Sequence, residues 1–436
     1  MTFFLTMVFM VLVFWRPQDW LFPWMYGWPV LDGITFAALL SLLIEADERR
    51  IRFPTESPQS WLLVGFWFAT LMSHVANTYF QGLVDTLFET FKFTLFGLLL
   101  MSVLSRPSRL RWTVRLFVAM ACLMAVHAYM QATLGQGFAG SEPLYIPEIL
   151  NKPAHTRTLF FGIFGDPNDL AQILVTAIPF TFLLSRRVTV FSVLSAFAIS
   201  AFLIYAVFTT HSRGGLVALS VVGMLMFFLV LPSKWLPYLL LPGSAAALAL
   251  CPLSAAYLDQ SAYERVIFWG LANWRFKENL VFGIGYGMFW QVAEERSAHN
   301  AFVECYTTIG FFGYWFWFGL LLIGVLGAWR TNVALRGATG SEEVWLRRFS
   351  GLAIAATAGF LASAYFLSRS FVFPLFFLIA MLAAVPLMAR KYTRQSYLSL
   401  VGTTEKVIVV CTVGAVVSIL YIYFSILLLN KAVGGG

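Results

Sequence analysis

Composition indicates that this chain of 436 residues is a membrane protein. Hydrophobic residues make up 60% of it and charged residues only 11%, with a mean hydropathy of +0.79. A soluble domain carries roughly 25% charged residues, so most of this surface is predicted to face lipid. The net charge of +8 does not indicate nucleic-acid binding, because the basic residues follow apolar segments and do not cluster in one domain.

Apolar segments long enough to cross a bilayer number about thirteen. Lipid offers the backbone no hydrogen-bond partner, so each segment is predicted to be a helix. The predicted spans are 2–15, 26–44, 61–77, 84–104, 113–132, 169–185, 190–208, 214–231, 236–255, 300–329, 352–367, 371–389 and 407–429. The first has no basic leader or small-residue cleavage site and is predicted to be retained. The expected fold is an all-α polytopic membrane protein, a single domain over 1–436 with about 12–13 transmembrane helices.

The cysteines predict no special chemistry. Cys122, Cys251, Cys305 and Cys411 lie in or beside apolar segments and lack metal-ligand spacing. We interpret them as small core residues, and they favour neither a disulfide framework nor a zinc site.

Basic residues predict the side of the membrane on which each connection lies. They follow the second, fourth, sixth, eighth, tenth and twelfth predicted spans, as Arg49, Arg50 and Arg52, Arg106, Arg109 and Arg111, Arg186 and Arg187, Lys234, Arg330, Arg336, Arg347 and Arg348, and Arg390, Lys391 and Arg394. All six connections lie on one side if the N-terminus is cytoplasmic, as the positive-inside rule favours. The other side then carries 135–158, 211–215, a loop at 256–299 of about forty residues with short helices, and 368–370.

Arginines occur in these non-cytoplasmic segments against the usual preference. They are Arg157, Arg213, Arg265, Arg275, Arg296 and Arg369. An anionic ligand would explain them, whereas contact with lipid headgroups is the alternative. In HSRGG, the guanidinium of Arg213, the amides of Gly214 and Gly215 and the start of a helix can approach one phosphate. The same letters also form an ordinary turn.

Lys92 is an ionisable residue about two turns inside the fourth predicted span. Asp85, Glu89 and Lys92 are spaced i, i+4 and i+7, so they share one helix face. Ionisable groups at this depth usually face a protein interior or a wet cavity and are functional. The alternative interpretation is a structural ion pair between Glu89 and Lys92.

The loop at 256–299 contains a helical pattern and a glycine-rich stretch. Arg265, Trp269 and Asn273 share one helix face at i, i+4 and i+8. The glycines of FGIGYG follow no strand and open no Rossmann unit, so we reject a nucleotide-binding loop.

His299 and Asn300 precede the tenth predicted span and cap it, with Glu304 about one turn further on. A histidine at this place is often a solvated cap residue. Beside several arginines and an intramembrane lysine, His299 becomes a candidate general base or proton relay.

The stretch GDPNDLA has two interpretations. Asp166, Asn168 and Asp169 could imitate a metal-binding cluster, but Asp-Pro-Asn-Asp before a span is also a strong helix N-cap. We favour the cap, with a secondary role at the mouth of the site.

Four motifs occur in a fixed order: GDPNDLA at 165–171, HSRGG at 211–215, an arginine and tryptophan followed by GIGYGMF within 265–289, and HNAFVECYTTIGFFG at 299–313. Together they resemble the O-antigen ligase and O-antigen polymerase superfamily, over about 157–313. The opening RPQDWLFPWMYGWPVLDG is also similar to members described as O-antigen or O-glycosylation ligases.

The resemblance implies a glycosyltransferase of the bacterial inner membrane that needs no metal or cofactor. Such enzymes take a glycan from undecaprenyl diphosphate on the periplasmic face. Ligases transfer it to lipid A-core or another surface glycan acceptor. Polymerases extend another lipid-linked repeat and work with a chain-length regulator.

The resemblance also implies roles for individual residues. Arg213 and Arg265 match the arginines that hold the diphosphate, and His299 matches the histidine that acts on the acceptor hydroxyl. Lys92 matches a basic residue of an early span. The remaining expected substrate-binding residues are Arg157, Gly214, Gly215, Asn300 and Glu304.

Two other classes of protein stay open. A transporter or flippase for an anionic lipid-linked sugar would use the same arginines without chemistry at His299. The lack of an internal repeat and the concentration of motifs on one face count against it. A structural membrane scaffold would leave Lys92 unexplained.

Overall fold

The computed structural model describes residues 1–25, 27–48, 53–148, 153–230, 260–293, 296–393 and 395–432. Their helices are α1 Thr2–Phe14, α2 Pro17–Trp20, α3 Val30–Asp47, α4 Pro58–Ala76, α5 Phe80–Val103, α6 Pro107–Leu134, α7 Pro167–Thr181, α8 Val190–Thr209, α9 Arg213–Val230, α10 Gln260–Glu278, α11 Phe289–Val292, α12 Ala301–Ala334, α13 Ser341–Ala364, α14 Phe373–Ala389, α15 Tyr397–Val401 and α16 Thr404–Ala432. One antiparallel hairpin, β1 Leu144–Ile146 and β2 His155–Arg157, lies between α6 and α7.

The helices are those of a multi-pass membrane protein. Five stretches are long and apolar enough to cross a membrane: Phe80–Val103, Pro107–Leu134, Val190–Thr209, Ala301–Ala334 and Tyr397–Lys431. Shorter apolar helices are Thr2–Phe14, Arg213–Leu229 and Phe373–Ala389. The predicted all-α membrane architecture is therefore confirmed. The predicted span 236–255 lies outside the described residues, as do Arg49, Arg50, Arg52, Lys234, Cys251 and Arg394.

α13 begins eleven residues before the predicted span 352–367, at Ser341. The first turns of α13 carry Glu342, Glu343, Arg347 and Arg348. These charged residues delay the start of the apolar segment in the sequence, but they do not prevent helix formation. The acids suit the positive end of the helix dipole.

Basic connections that the charge pattern placed on one side meet at one end of the bundle. Arg111 at the start of α6 binds Glu342 at the start of α13. Arg186, which follows α7, binds the same carboxylate at 3.2 Å. Arg348 of α13 donates to the carbonyl of Phe182 at the end of α7. Three of the six connections are thus neighbours, as the pattern predicts.

The core of the bundle lies around α12 and α14. α12 packs against α4, α13, α14 and α16. α14 is buried along nearly its whole length, which fits a helix that is apolar on every side. These two helices place their N-terminal ends beside the polar site described below.

α12 is broken at Gly310, where φ is +67° and ψ −172°. The glycine-rich segment 280–285 fills the break and satisfies the freed backbone groups. Four hydrogen bonds join the two segments: Phe311 N to Leu280 O (2.8 Å), Phe312 N to Val281 O (3.0 Å), Ile284 N to Thr307 O (3.0 Å) and Gly285 N to Thr308 O (2.9 Å). A Cβ at position 310 would lie 2.2 Å from the Val281 carbonyl oxygen. The glycines therefore allow a close backbone-to-backbone contact.

Candidate functional site

Four helices begin near one place: α7, α9, α12 and α14. Three contacts join these ends: Arg369 before α14 to Asp169 of α7, the N–H of His299 before α12 to Ser368 Oγ at 2.9 Å, and Gly214 of α9 packed against the side chain of Phe366. The N-terminus of a helix carries a partial positive charge and free N–H groups. Several such ends together favour an anion.

His299 has an accessible side chain on a tightly held backbone. Its φ is +48°, a left-handed conformation that is costly for a residue with a Cβ. On one side Ser368 Oγ accepts its N–H. On the other, the indole of Trp269 donates to the carbonyl of Ala298 at 2.7 Å. The imidazole is exposed, while the chain that carries it is fixed from both sides.

The surroundings of His299 disfavour the protonated form of its ring. The protein packed around the ring lowers the pKa of His299 by desolvation, and Arg265 lowers it further. The other charges acting on this pKa are Asp166, which raises it, and Arg369 and Arg296, which lower it. A neutral imidazole can accept a proton, as a general base must.

Arg265 lies on α10, with its charge acting on His299, so the structure brings together two residues that the sequence singled out. The two other residues on its predicted face fix the helix. Besides the Trp269 bond, Asn273 donates to the carbonyl of Tyr423 at 3.1 Å and accepts from the hydroxyl of Tyr306 at 2.6 Å. This face therefore combines one charged side chain at the site with two structural anchors.

Arg213 is the first residue of α9, and its side chain is exposed. The glycines after it, which the sequence predicts to bind substrate, lie in a close packing contact. A Cβ at position 215 would lie 2.7 Å from the Cβ of Ala171, and the N–H of Gly215 is donated to Ser212 Oγ at 3.1 Å. The two glycines thus allow α9 to pack closely against α7 and against Phe366.

Arg157, predicted to bind substrate, donates hydrogen bonds to protein groups. It lies at the end of β2, where its Nε donates to the carbonyl of Thr210 at 2.9 Å and its Nη2 to Asn168 Oδ1 at 3.1 Å. Ser212 Oγ donates to the same amide oxygen at 2.8 Å. Through these two hydrogen bonds Arg157 connects the hairpin to the starts of α7 and α9.

The stretch GDPND forms the predicted helix cap. Asp166 is the N-cap of α7, and its Oδ1 accepts from the N–H of Asn168 at 2.7 Å and from its side-chain amide at 2.8 Å. Asp169 is buried and binds both Nε and Nη2 of Arg369 at 2.5 Å. The cap interpretation is confirmed, and Asp166 stays close enough to act electrostatically on His299.

Asn300, predicted to bind substrate, is fully buried and caps α12. Its Oδ1 accepts from the N–H groups of Phe302 at 3.0 Å and Val303 at 3.2 Å. Glu304, one turn further on, accepts from Ser370 Oγ at 3.1 Å. This carboxylate therefore lies against the Ser368–Ser370 turn.

Lys92 does not pair with Glu89. Its Nζ lies 3.0 Å from Asp32 Oδ1 of α3, and both side chains are at least half exposed. Glu89 instead accepts from the hydroxyl of Tyr286 at 3.3 Å. Asp85, Glu89 and Lys92 are all exposed on α5. The ion-pair partner of Lys92 is Asp32 on the neighbouring helix α3.

Sequence reasoning gave no individual role to two parts of the site. The first is the turn Ser368, Arg369 and Ser370, whose arginine was only grouped with the other arginines of its side and whose serines were not considered. The second is Tyr286 of GIGYGMF, which is buried with its N–H on Ser73 Oγ at 2.9 Å. Burial, with Glu89 and Glu304 nearby, raises the pKa of Tyr286.

Two more of the arginines singled out in the sequence, Arg275 and Arg296, have acidic partners. Arg275 lies 3.2 Å from Glu278, and Arg296 lies 2.7 Å from Glu264. Within the described part of the chain, no three His, Cys, Asp or Glu side chains are grouped to hold a metal ion. No model of a known protein family matches this chain, and none of the curated proteins compared with it matches at a significant level.

Proposed function

We propose that this protein is a metal-independent glycosyltransferase of the bacterial inner membrane. It moves a glycan from undecaprenyl diphosphate to an acceptor hydroxyl on the periplasmic face. In this proposal the N-terminus is cytoplasmic, about 12–13 helices cross the bilayer, and the end of the bundle holding Arg111, Arg186 and Glu342 faces the cytoplasm. The four converging helix starts then face the periplasm.

The observation that carries the proposal is the exposed His299, whose pKa is lowered by desolvation and by the charge of Arg265, at a place where helix starts converge. His299 takes the proton of the acceptor hydroxyl as its oxygen attacks the anomeric carbon. The bond between that carbon and the phosphate oxygen breaks, and the diphosphate leaves with the electron pair. The cationic side chains and helix starts stabilise the charge that develops on it.

Arg213 and Arg265 bind the leaving group in this proposal. Arg213 starts α9, so its guanidinium and the helix start act at the same place. Arg265 acts on His299 from α10. A guanidinium can bind a phosphate with two parallel hydrogen bonds, which a single ammonium cannot do.

The resemblance gives a preference for a ligase over a polymerase. Both transfer a glycan from the same donor, so the site favours neither. A transporter would bind the same diphosphate but gives no use for an imidazole of lowered pKa whose backbone is held on both sides.

The proposal is tested with purified protein in nanodiscs, supplied with an undecaprenyl-diphosphate glycan with and without a lipid A-core acceptor. Products are separated on gels. A single transfer to lipid A-core identifies a ligase, and a ladder of longer lipid-linked chains without that acceptor identifies a polymerase. No product in either reaction, with authentic substrates from the source's own pathway, contradicts the proposal and favours a transporter.

A further inference from the structure

Asp169 and Arg369 form a bidentate ion pair across 200 residues of sequence. Nε and Nη2 of Arg369 each lie 2.5 Å from a carboxylate oxygen of Asp169. The Asp169 side chain is 4% exposed and that of Arg369 34% exposed. A carboxylate this deeply buried needs a partner of opposite charge, so the pair fixes the turn before α14 against the start of α7.

The turn that Arg369 anchors holds the start of α12 at three points. Ser368 Oγ accepts the N–H of His299 at 2.9 Å. Ser370 Oγ lies 2.6 Å from the carbonyl of Ala301 and 3.1 Å from Glu304 Oε2. These contacts lie at His299 and within five residues after it, so they hold the strained backbone that carries the His299 ring.

The guanidinium of Arg369 donates to protein groups through each of its nitrogens. Its third nitrogen, Nη1, donates to the carbonyl of Ser368 at 3.2 Å. All three guanidinium nitrogens therefore have protein partners within the turn and α7. Of the external arginines, this one is used to hold the turn in place.

We propose that the Asp169–Arg369 pair and the Ser368–Ser370 turn are a positioning unit for His299. The unit fixes the backbone of His299 so that its ring faces the acceptor hydroxyl, and it acts through His299 without touching substrate. The effect of this unit on glycan transfer rests on the function proposed above. The effect of the unit on the pKa of the His299 ring does not depend on that function.

The unit also acts on the ring electrostatically. The groups that face His299 are Arg265 of α10, Asp166 before α7, Arg369 of the turn, and Arg296 before α12. A nearby positive charge disfavours the imidazolium. Loss of the Arg369 charge should therefore raise the pKa of His299, whereas lysine at this position retains the charge and loses the two-pronged contact with Asp169.

The experiment uses the full chain in nanodiscs and compares Arg369→Gln, Arg369→Lys and Ser368→Ala with Arg275→Gln, which removes an arginine from another ion pair of the same external region. The His299 ring is titrated by NMR of histidine-labelled protein, with its signal assigned by loss in His299→Gln. Transfer kcat and donor Kd are measured on the same samples.

We expect Arg369→Gln to raise the His299 pKa and Arg369→Lys to leave it within a few tenths of a unit. Both variants and Ser368→Ala should lose about 10- to 100-fold in kcat, with donor Kd within about twofold of the parent protein. Arg275→Gln should leave the His299 pKa, kcat and donor Kd unchanged. If Arg369→Gln does not fold, because Asp169 is left unpaired, Arg369→Lys and Ser368→Ala provide the test.

An unchanged kcat in Ser368→Ala, or an unmoved His299 titration in Arg369→Gln, would overturn the positioning unit. So would a weakened donor Kd with unchanged kcat in Arg369→Lys, because that result makes Arg369 a diphosphate ligand. If the parent protein transfers no glycan, the proposed function fails by itself. The titration of His299 then tests the positioning unit alone. A raised His299 pKa in Arg369→Gln supports the unit, and an unchanged His299 pKa contradicts it.

Discussion

The backbone of His299 shows how the site holds one residue in a conformation that the isolated chain avoids. A left-handed φ costs of order 1–3 kcal/mol for a residue with a Cβ. It persists here because Ser368 binds the N–H of His299 and Trp269 binds the preceding carbonyl. The same strain recurs at His211, with φ +50°, just before α9.

Arg213 and Arg265 are expected to act on the donor before and during the reaction. Arg213→Ala and Arg265→Ala should each weaken donor binding and lower kcat, because they remove charge that faces the diphosphate. Lysine at either position should restore only part of the loss. Donor Kd and kcat measured in nanodiscs check this, with Arg275→Ala as the control. Donor binding that stays unchanged in both alanine variants would remove the arginines from the diphosphate site.

The pH dependence of transfer follows from the lowered pKa of His299. A base works only when neutral, so transfer should hold its rate as pH falls below the ordinary imidazole pKa. The rate should then be lost as pH falls through the depressed pKa of His299. A profile of kcat against pH checks this. An acidic limb at or above the ordinary imidazole pKa would contradict the environment described for His299.

At the scale of elements, the break in α12 and the segment 280–285 form one unit. Neither part is stable alone, because a broken helix within a membrane leaves backbone groups without partners. The four backbone hydrogen bonds across the break supply those partners. The unit also fixes the loop that carries Tyr286 next to α4 and α5.

Gly310→Ala should destabilise the protein strongly. The new Cβ would meet the Val281 carbonyl at 2.2 Å and hold a positive φ, so we expect a loss of at least about 2 kcal/mol. Thermal unfolding of the purified protein measures it. Gly33→Ala in α3 is the matched control, because nothing lies within 4 Å of a Cβ built at position 33. An equal melting temperature for both variants would mean that the backbone contact across the break does not form.

Helices were the part of the fold that sequence predicted best, since a long apolar segment has few alternatives in lipid. The hairpin 144–157 was missed because its two strands have three residues each and are largely polar or exposed. His299 and Arg265 were predicted from residue type and position, and the structure brings them within electrostatic reach of each other. The partner of Lys92 and the Asp169–Arg369 pair were not, because each joins residues far apart in the chain.

For the whole molecule, the charge pattern and the contacts between helix ends divide the bundle into two ends. Three basic connections meet at one end, and the histidine and arginine site lies where α7, α9, α12 and α14 begin. The sign of the charge at the first end is the reason why the proposed function places that end in the cytoplasm.

Cysteine labelling in intact cells tests this assignment. In a background without native cysteines, Glu142→Cys in the external segment should react with a membrane-impermeant maleimide. Ser105→Cys, next to Arg106, should react only after the membrane is permeabilised. Both positions are exposed, so a difference in labelling reports the side of the membrane. The reverse pattern would invert the topology and place the site in the cytoplasm.

The most direct test of the central claim compares His299→Ala with the parent protein for donor binding and glycan transfer in one nanodisc preparation. If His299 is the general base, transfer should fall by at least about 100-fold, with donor Kd and melting temperature close to those of the parent. Normal transfer by His299→Ala would remove the proposed base and contradict the account.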